Sequence, residues 1–278
     1  DVTLTSANNF KSTVSIDGAI VQVADNTGGI QLGTVNTSAS LAVTATNGNI
    51  TQDTNGLTVA TTSTFVTATD NSTIALDAGA NTFNGAVLLT TNDTGTDASA
   101  SINGGSTAAL DIGLSTVDGN LTLQSGFGIT DSGIATVTGN LSATTSGTAT
   151  IVLDLLAVAS PGTISLTTVN ANATVVNASG LIFGASSVVG DLTATATAGD
   201  FSQTGSLTVT GNSSFTAATT QNIILDNASN NFTGTLDFNS AGNLTNVTIR
   251  DTTAIDIQAL NITGNLTVTA GGAITDGG

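Results

Sequence analysis

Hydrophobic and polar residues alternate along much of this chain, in short stretches separated by glycine, asparagine and aspartate. The last fifteen residues, GNLTVTAGGAITDGG at 264–278, show the pattern most clearly. Leu266, Val268 and Ala270 fall on one side of an extended chain, and the intervening threonines fall on the other. This period of two is typical of a half-buried β-strand. The glycines at 271–272 predict a tight turn with positive φ.

Segments of this kind, which we call cassettes, recur along the chain. Three anchor positions in strand-like stretches come back every 71–80 residues. They are Leu4, Leu76, Leu153 and Leu225; Leu41, Leu121, Leu192 and Leu266; and Ile50, Ile129, Phe201 and Ile274. The sequence therefore predicts four degenerate repeats, at about residues 1–72, 73–149, 150–221 and 222–278.

The two ends of this array look like ordinary repeat sequence. The fourth repeat lacks an equivalent of Ser206–Gln221, and neither end has the polar cap that solenoids normally carry. The chain also starts at Asp1 rather than at a methionine. We therefore expect a segment of a longer array, or a subunit that stacks end to end.

Strand centres about every 8–11 residues suit a sandwich, a barrel or a β-helix. Glutamate is absent and lysine occurs once, so helix formers are scarce. Repetition favours stacked coils that share one core. The sequence predicts an all-β parallel β-helix (β-solenoid), right-handed and continuous over 1–278, with coils of about 24 residues if three strands form a coil. A tandem array of β-sandwiches is the alternative.

The alternation also predicts the core. We expect the following aliphatic residues to point inward: Leu121, Leu123, Leu207, Val209, Leu266 and Val268. Phenylalanines recur at two repeat positions, the first shared by Phe10, Phe83 and Phe232 and the second by Phe65 and Phe215. We interpret them as core residues rather than as platforms for sugar.

Composition excludes several classes of function. The net charge is −17 and the only cations are Lys11 and Arg250, so no basic surface can bind nucleic acid. The charge also disfavours anionic lipid, and no apolar run is long enough for a transmembrane helix. Negative charge suits an extracellular or cell-surface protein. Cysteine is absent, so disulfides are excluded.

The chemistry left to the chain is that of aspartate. Two D-[ST]-G triplets, at 93–95 and 131–133, are compatible with an aspartic-protease dyad, but we interpret them as turns because Asp131 shares its repeat position with Asp276. The chain has no histidine, cysteine, tyrosine or glutamate for acid–base catalysis. We expect no catalytic residue and no enzyme. A β-helical carbohydrate-active enzyme that uses Asp pairs stays open as an alternative.

A passive sugar- or calcium-binding module is the other alternative. Calcium prefers several oxygen ligands. Aspartates in predicted turns, such as Asp77, Asp191 and Asp226, are candidates, although each is also an ordinary turn residue. We expect no bound cofactor, with calcium as the one left open and its location unassigned.

The cassettes at 119–133, 190–205 and 264–278 resemble repeats of the filamentous-haemagglutinin-like and β-strand-repeat adhesins, which are very large exported proteins of bacterial surfaces. The resemblance covers nearly the whole chain and implies export, a β-helical shaft and a role in adhesion, biofilm matrix or sheath. It transfers no catalytic residue. We therefore expect a structural extracellular shaft or filament subunit. Its partners would be further copies or repeats, end to end, with cell-surface glycans as a further candidate.

Overall fold

The computed structural model describes residues 1–95 and 97–277, in two compact units. Unit 1 comprises Asp1–Thr145, and unit 2 begins at Ser146. Every regular element in the described residues is a β-strand, as the scarcity of helix formers predicts. The final glycine of the cassette at 264–278 lies outside the described residues.

The described residues of unit 1 form eighteen strands, most of them three to five residues long. In chain order they are β1 (Val2–Leu4), β2 (Val14–Gly18), β3 (Val21–Asp25), β4 (Ile30–Thr37), β5 (Leu41–Ala45), β6 (Ile50–Gln52), β7 (Leu57–Val59), β8 (Ser63–Thr67), β9 (Ile74–Leu76), β10 (Thr82–Phe83), β11 (Val87–Thr90), β12 (Ala100–Asn103), β13 (Leu110–Ile112), β14 (Ser115–Val117), β15 (Leu121–Ser125), β16 (Ile129–Asp131), β17 (Ala135–Val137) and β18 (Leu141–Thr145).

These strands form two parallel sheets in unit 1. The first contains β1, β3, β5, β8, β11, β13 with β14, and β16 with β17. The second contains β2, β4, β6 with β7, β9 with β10, β12, β15 and β18. Leu41 lies between Val21 and Ser63, so the chain returns to the same place in the sheet once per coil.

Unit 2 contains the remaining strands. They are β19 (Ile151–Val158), β20 (Ile164–Thr167), β21 (Ala173–Asn177), β22 (Leu181–Phe183), β23 (Ser186–Val188), β24 (Leu192–Ala196), β25 (Phe201–Gln203), β26 (Leu207–Val209), β27 (Ser213–Ala217), β28 (Ile223–Leu225), β29 (Asn231–Phe232), β30 (Thr235–Ser240), β31 (Val247–Asp251), β32 (Ile255–Ile257), β33 (Leu266–Ala270) and β34 (Ile274–Asp276).

Unit 2 also consists of two parallel sheets. Its first contains β19, β21, β24, β27, β30, β32 and β34, and its second contains β20, β22 with β23, β25 with β26, β28 with β29, β31 and β33. Parallel coil-on-coil pairing is that of a β-solenoid, so the predicted fold class is confirmed. A right-handed sense and continuity over 1–278 stay predictions.

Coil length varies more than the sequence predicts. Paired residues of successive coils are about 19 residues apart at Val2 and Val21, and about 25 apart at Val87 and Ile112. Some coils have two strands and others three, because one long strand can face two short ones. The eight-residue β4, for example, pairs with both β6 and β7.

Successive repeats place equivalent positions in opposite sheets. Leu41 lies in the first sheet of unit 1 and Leu121 in the second; Leu192 lies in the first sheet of unit 2 and Leu266 in the second. Between β5 and β15 the chain crosses the first sheet at β8, β11 and β13–β14. One repeat therefore makes about three and a half coils, so neighbouring repeats within a unit are related by a half turn.

The other two anchors alternate in the same way. In unit 1, Leu4 and Ile129 lie in the first sheet, whereas Leu76 and Ile50 lie in the second. In unit 2, residues of the first sheet are Leu153 and Ile274, and residues of the second are Leu225 and Phe201. The half turn is thus a property of the whole repeat and not of one strand.

The predicted core is confirmed at most positions. Leu121, Leu123, Leu207 and Val209 are at most 1% exposed. The predicted burial is wrong for Leu266, which is 45% exposed because no strand of the described residues covers that side of β33, and Val268 on the same strand is only half-buried. The inward phenylalanines are confirmed for Phe65, Phe83, Phe215 and Phe232, whereas Phe10, in the first coil, is only half-buried.

Aromatic packing is concentrated in unit 2. The ring of Phe215 contacts those of Phe183, Phe201, Phe232 and Phe238, with centroids 5.8–6.2 Å apart. In unit 1, Phe65 and Phe83 form one edge-to-face pair at 6.3 Å. These rings fill the interior of the coils, where they cannot serve as sugar platforms.

The cassette glycines serve two purposes. In the first three repeats, a glycine one or two residues before the anchor residues Ile50, Ile129 and Phe201 has positive φ. The angle is +103° for Gly48, +139° for Gly128 and +87° for Gly199. The predicted positive φ is wrong for Gly271 and Gly272 in the fourth. A Cβ on Gly271 would instead collide with the carbonyl group of Thr252, so glycine is required there for close approach of two coils.

Candidate functional surfaces

The first D-[ST]-G triplet lies in the loop between β11 and β12. The Asp93 carboxylate accepts the backbone N–H of Asp97 at 2.8 Å. This hydrogen bond, with weaker ones from Gly95, Thr94 and Ala98, outweighs burial and holds the pKa of Asp93 below its ordinary value of 3.8. The side chain thus stabilises its own loop, as expected of a turn residue.

The second triplet lies on a different element. Asp131 is the last residue of β16 and pairs with Ile112 of β13, so it is in a sheet rather than in a turn as predicted. Its neighbour Ser132 donates its hydroxyl to Asp111 at 2.7 Å. The two triplets therefore belong to separate local structures, one in a loop and one at a strand end.

The candidate calcium ligands also have local roles. Asp77 accepts the hydroxyl of Ser101 at 2.9 Å, and Asp191 accepts the N–H of Asn212 at 2.8 Å. Asp226 follows β28 in a separate loop. Within residues 1–95 and 97–277, no three acidic side chains converge on a place that could hold a metal ion.

A fourth repeat position, which the sequence reasoning missed, carries a polar side chain at the end of an alternating strand. Its four members are Asp25, Asn103, Asn177 and Asp251, the last residues of β3, β12, β21 and β31. The buried carboxylate of Asp25 accepts the N–H groups of Phe10 at 2.6 Å, Thr27 at 2.7 Å and Gly28 at 3.0 Å. Since Phe10 belongs to the preceding coil, this side chain joins two coils.

The members in unit 2 make the same kind of link. Asp251 accepts the N–H of Phe232 at 3.0 Å, and Asn177 accepts that of Val158 at 2.8 Å. Burial raises the pKa of Asp25, but the hydrogen bonds from Thr27, Phe10 and Gly28 outweigh it, so the pKa lies below 3.8. In the sequence, this repeat position could have been recognised as an Asp or Asn that ends an alternating stretch once per repeat.

Buried amides form a second link between coils. In unit 1, Asn81 accepts the N–H of Leu57 at 2.9 Å and the side-chain amide of Gln52 at 2.6 Å. In unit 2, Asn230 accepts the N–H of Leu207 at 2.9 Å and the side-chain amide of Gln203 at 2.9 Å. Because these buried groups are hydrogen-bonded, they stabilise corners of the solenoid rather than form a reactive site.

The first coil of unit 1 leaves part of its apolar interior open. Leu4 is 39% exposed, whereas Leu76, at the equivalent position in the second repeat, is fully buried. An open cavity of about 460 Å³ lies beside Leu4 and is lined also by Phe10, Val14 and Ile16. We call this surface the N-face.

The last coil of unit 2 leaves a similar surface. Leu266 is 45% exposed and Ile274 is 56% exposed, whereas their equivalents Leu192 and Phe201 are at most 1% exposed. An open cavity of about 580 Å³ is lined by apolar residues that include Leu260, Leu266 and Ile274. We call this surface the C-face. Among the described residues no coil covers Leu266 and Ile274, whereas the next coil covers Leu192 and Phe201.

The described residues contain no helix of the length and apolarity needed to cross a membrane.

Comparison with known proteins identifies the repeat. Searches of curated proteins and of solved structures found no match. A family model described as "Repeats of unknown function (DUF5649)" matches residues 18–90, 97–167, 170–239 and 244–278. Because these segments make up most of the sequence, the chain belongs to the family of DUF5649 repeats.

Proposed function

We propose that this chain is a structural element, namely a shaft or filament subunit of an extracellular surface adhesin, fibre or matrix. The observation that carries the proposal is the exposure of core positions at the N-face and the C-face. Leu266 and Ile274 occupy positions that are buried elsewhere in unit 2 by the next coil. Burying such a side chain stabilises by about 1.5–3 kcal/mol, so both faces favour a further coil.

The strand edges at these faces also suit end-to-end contact. β34 pairs with β32 on one edge, and β1 pairs with β3 on one edge. Inside the units, strands equivalent to β34 pair directly with strands equivalent to β1, as Ile50 does with Ile74 and Phe201 with Ile223. The same register would place Ile274 of one copy beside Val2 of the next.

A contact of this kind generates a fibre. The two faces differ, so the contact is head to tail, and such contacts propagate into a fibre unless a rotation closes them into a ring. The net charge of −17 opposes side-by-side bundling at moderate salt, while short-range backbone pairing and apolar contact act between the N-face and the C-face. A further repeat in the same polypeptide would extend the shaft equally well.

Electron microscopy with light scattering tests the assembly of residues 1–278. Head-to-tail filaments should grow with protein concentration. Leu266→Lys and Ile274→Lys should abolish them, because each places a charge on the C-face. Thr267→Lys is the matched control, since Thr267 lies on the same strand but outside the core. A wild-type chain that stays monomeric at high concentration would contradict self-assembly.

The cellular location needs its own test. The resemblance to exported adhesins and the negative charge support an extracellular place. Antibodies raised against the folded chain should label intact cells of the source organism, and external protease should remove that signal. Labelling only after the cells are broken would contradict an extracellular shaft.

A further inference from the structure

We infer that the open edge of β33 accepts one particular kind of strand from a repeat of this family: five residues long, with serine at the first position and phenylalanine at the third. The inference rests on the proposed function, in which further coils extend the solenoid, and it names the coil that fits. It concerns β33, whereas contact with β1 of a second copy concerns β34.

The other three cassette strands supply the precedent. β5, β15 and β24 are each five residues long, and each is covered over its full length by a parallel strand. Those covering strands are β8, β18 and β27, respectively, and each pairing joins five residues in register. β33 is the fourth cassette strand and has the same length, but among the described residues its only strand partner is β31.

The third position of the covering strand is matched in size to the residue beneath it. Val43 lies beneath Phe65, and Ala194 lies beneath Phe215. All four side chains are fully buried. A small side chain in the cassette strand therefore leaves room for a phenylalanine in the strand that covers it.

The second repeat shows the opposite combination. There Leu123 lies beneath Ala143, and the first position of the covering strand is Leu141 rather than serine. The residue at the third position of β33 is Val268, as in the first repeat, where Val43 receives a phenylalanine. Close packing therefore favours the Ser-x-Phe strand over the Leu-x-Ala strand on β33.

Residues 206–221 of this chain provide the natural probe. They follow the third cassette and contain β26 and β27, in which Ser213 and Phe215 form the Ser-x-Phe pattern. Adding the same sixteen residues, SLTVTGNSSFTAATTQ, after residue 278 should place a β27-type strand on β33. The added strand should cover Leu266 as β27 covers Leu192 in unit 2.

A thiol can report this coverage, because the chain contains no cysteine. With the extension, the labelling rate of the Leu266→Cys variant by a maleimide should fall by about tenfold or more, since labelling then requires local opening. Thr267→Cys, which points outward, should label at the same rate with and without the extension. Its equivalent, Thr193, stays exposed beneath β27.

A matched extension tests the side-chain preference. It carries leucine and alanine in place of the serine and phenylalanine that correspond to Ser213 and Phe215, and it should protect Leu266→Cys less well. Equal protection by both extensions would contradict the preference, and no protection by either would contradict the acceptor edge. The assay needs no filament, so loss of self-assembly with intact protection would count against the proposed function alone.

Discussion

Single polar side chains connect neighbouring coils, and the same repeat position can carry either a carboxylate or an amide. Asp25 uses both carboxylate oxygens, one for Phe10 and the other for Thr27 and Gly28. Asn177 accepts the N–H of Val158 with its oxygen and donates its amide to the carbonyl groups of Val158 and Gly180. Asp25, Asn177 and Asp251 each accept an N–H group of the preceding coil, whereas Asn103 accepts that of Gly105 in its own turn.

The lowered pKa of Asp25 predicts a contribution to acid sensitivity. A carboxylate with a lowered pKa stabilises the fold at pH above its unfolded value near 3.8, and this stability is lost as the pH falls through the lower folded value. Asp25→Asn loses one acceptor oxygen and should cost about 1–3 kcal/mol at pH 7. The difference from wild type should shrink below pH 3.8, as measured by urea unfolding at several pH values.

The exposed Asp70 provides the control for this experiment. Asp70→Asn should leave the free energy of unfolding close to that of wild type at pH 7 and at pH 3. A stability gap between Asp25→Asn and wild type that stays constant down to pH 2 would contradict the role assigned to this carboxylate.

Sequence patterns predict residues of this kind only in part. Alternation placed Leu121 and Leu207 correctly, because their strands are covered on both sides. It failed for Leu266, because burial also depends on a neighbouring coil that the alternation of one strand does not contain. Asp25 and Asn177 were missed because two residue types share the position and both are also common in turns.

At the scale of one strand, the repeats conserve the volume of an inward pair rather than its residues. β8 and β27 carry serine and phenylalanine at their first and third positions, whereas β18 carries Leu141 and Ala143. Among the described residues, the buried hydroxyl groups of Ser63 and Ser213 have no hydrogen-bond partner. The serines therefore provide space beside the phenylalanines more than they provide polarity.

This exchange of side-chain volume predicts that the effects of substitutions at Ser63 and Phe65 on the free energy of unfolding are coupled. Ser63→Leu alone should destabilise unit 1 by about 1–3 kcal/mol through overpacking. Phe65→Ala alone should destabilise it by about 3–5 kcal/mol through the cavity it leaves. In the double variant the added leucine fills part of that space, as in β18, so the combined loss in urea unfolding should be at least about 1 kcal/mol smaller than the sum.

Additive losses would contradict the volume exchange. Distant, independent sites add within about 0.3–0.5 kcal/mol, so a coupling below that range would mean that the two positions do not share space. Ser63→Leu combined with the exposed substitution Asp70→Asn is the matched additive control.

For the molecule as a whole, the period of the repeat was predictable but its half turn was not. Three anchors gave the spacing, and alternation gave strands. The spacing between repeats does not determine the sheet in which a strand lies, because turns of different length change the number of residues per coil. The eight-residue β4 and the separate β6 and β7 occupy neighbouring coils, which no fixed coil length would predict.

The half turn determines which sheet carries a given position of the repeat. A side chain that occurs once in every repeat lies in one sheet in the first repeat of a unit and in the other sheet in the second, as Leu41 and Leu121 do. A ligand site built from one residue per repeat would therefore need every second repeat.

Disulfide formation in unit 1 tests whether neighbouring coils stack in parallel and in register. Thr122 lies beside Ser142, and Gln124 lies beside Thr144. Neighbouring strands are about 4.8 Å apart, within the range that a disulfide bridges, whereas diagonal neighbours are about 8 Å apart and too distant. The chain contains no cysteine, so a double cysteine variant can form only one internal bridge.

Parallel pairing in register predicts which double variants form a disulfide under mild oxidation. Thr122→Cys with Ser142→Cys, and Gln124→Cys with Thr144→Cys, should form the bridge in the folded monomer, as measured by mass spectrometry of the digested protein. Thr122→Cys with Thr144→Cys, and Gln124→Cys with Ser142→Cys, should not. The reverse outcome, in which the second two variants close and the first two stay reduced, would mean antiparallel strands and would contradict the solenoid.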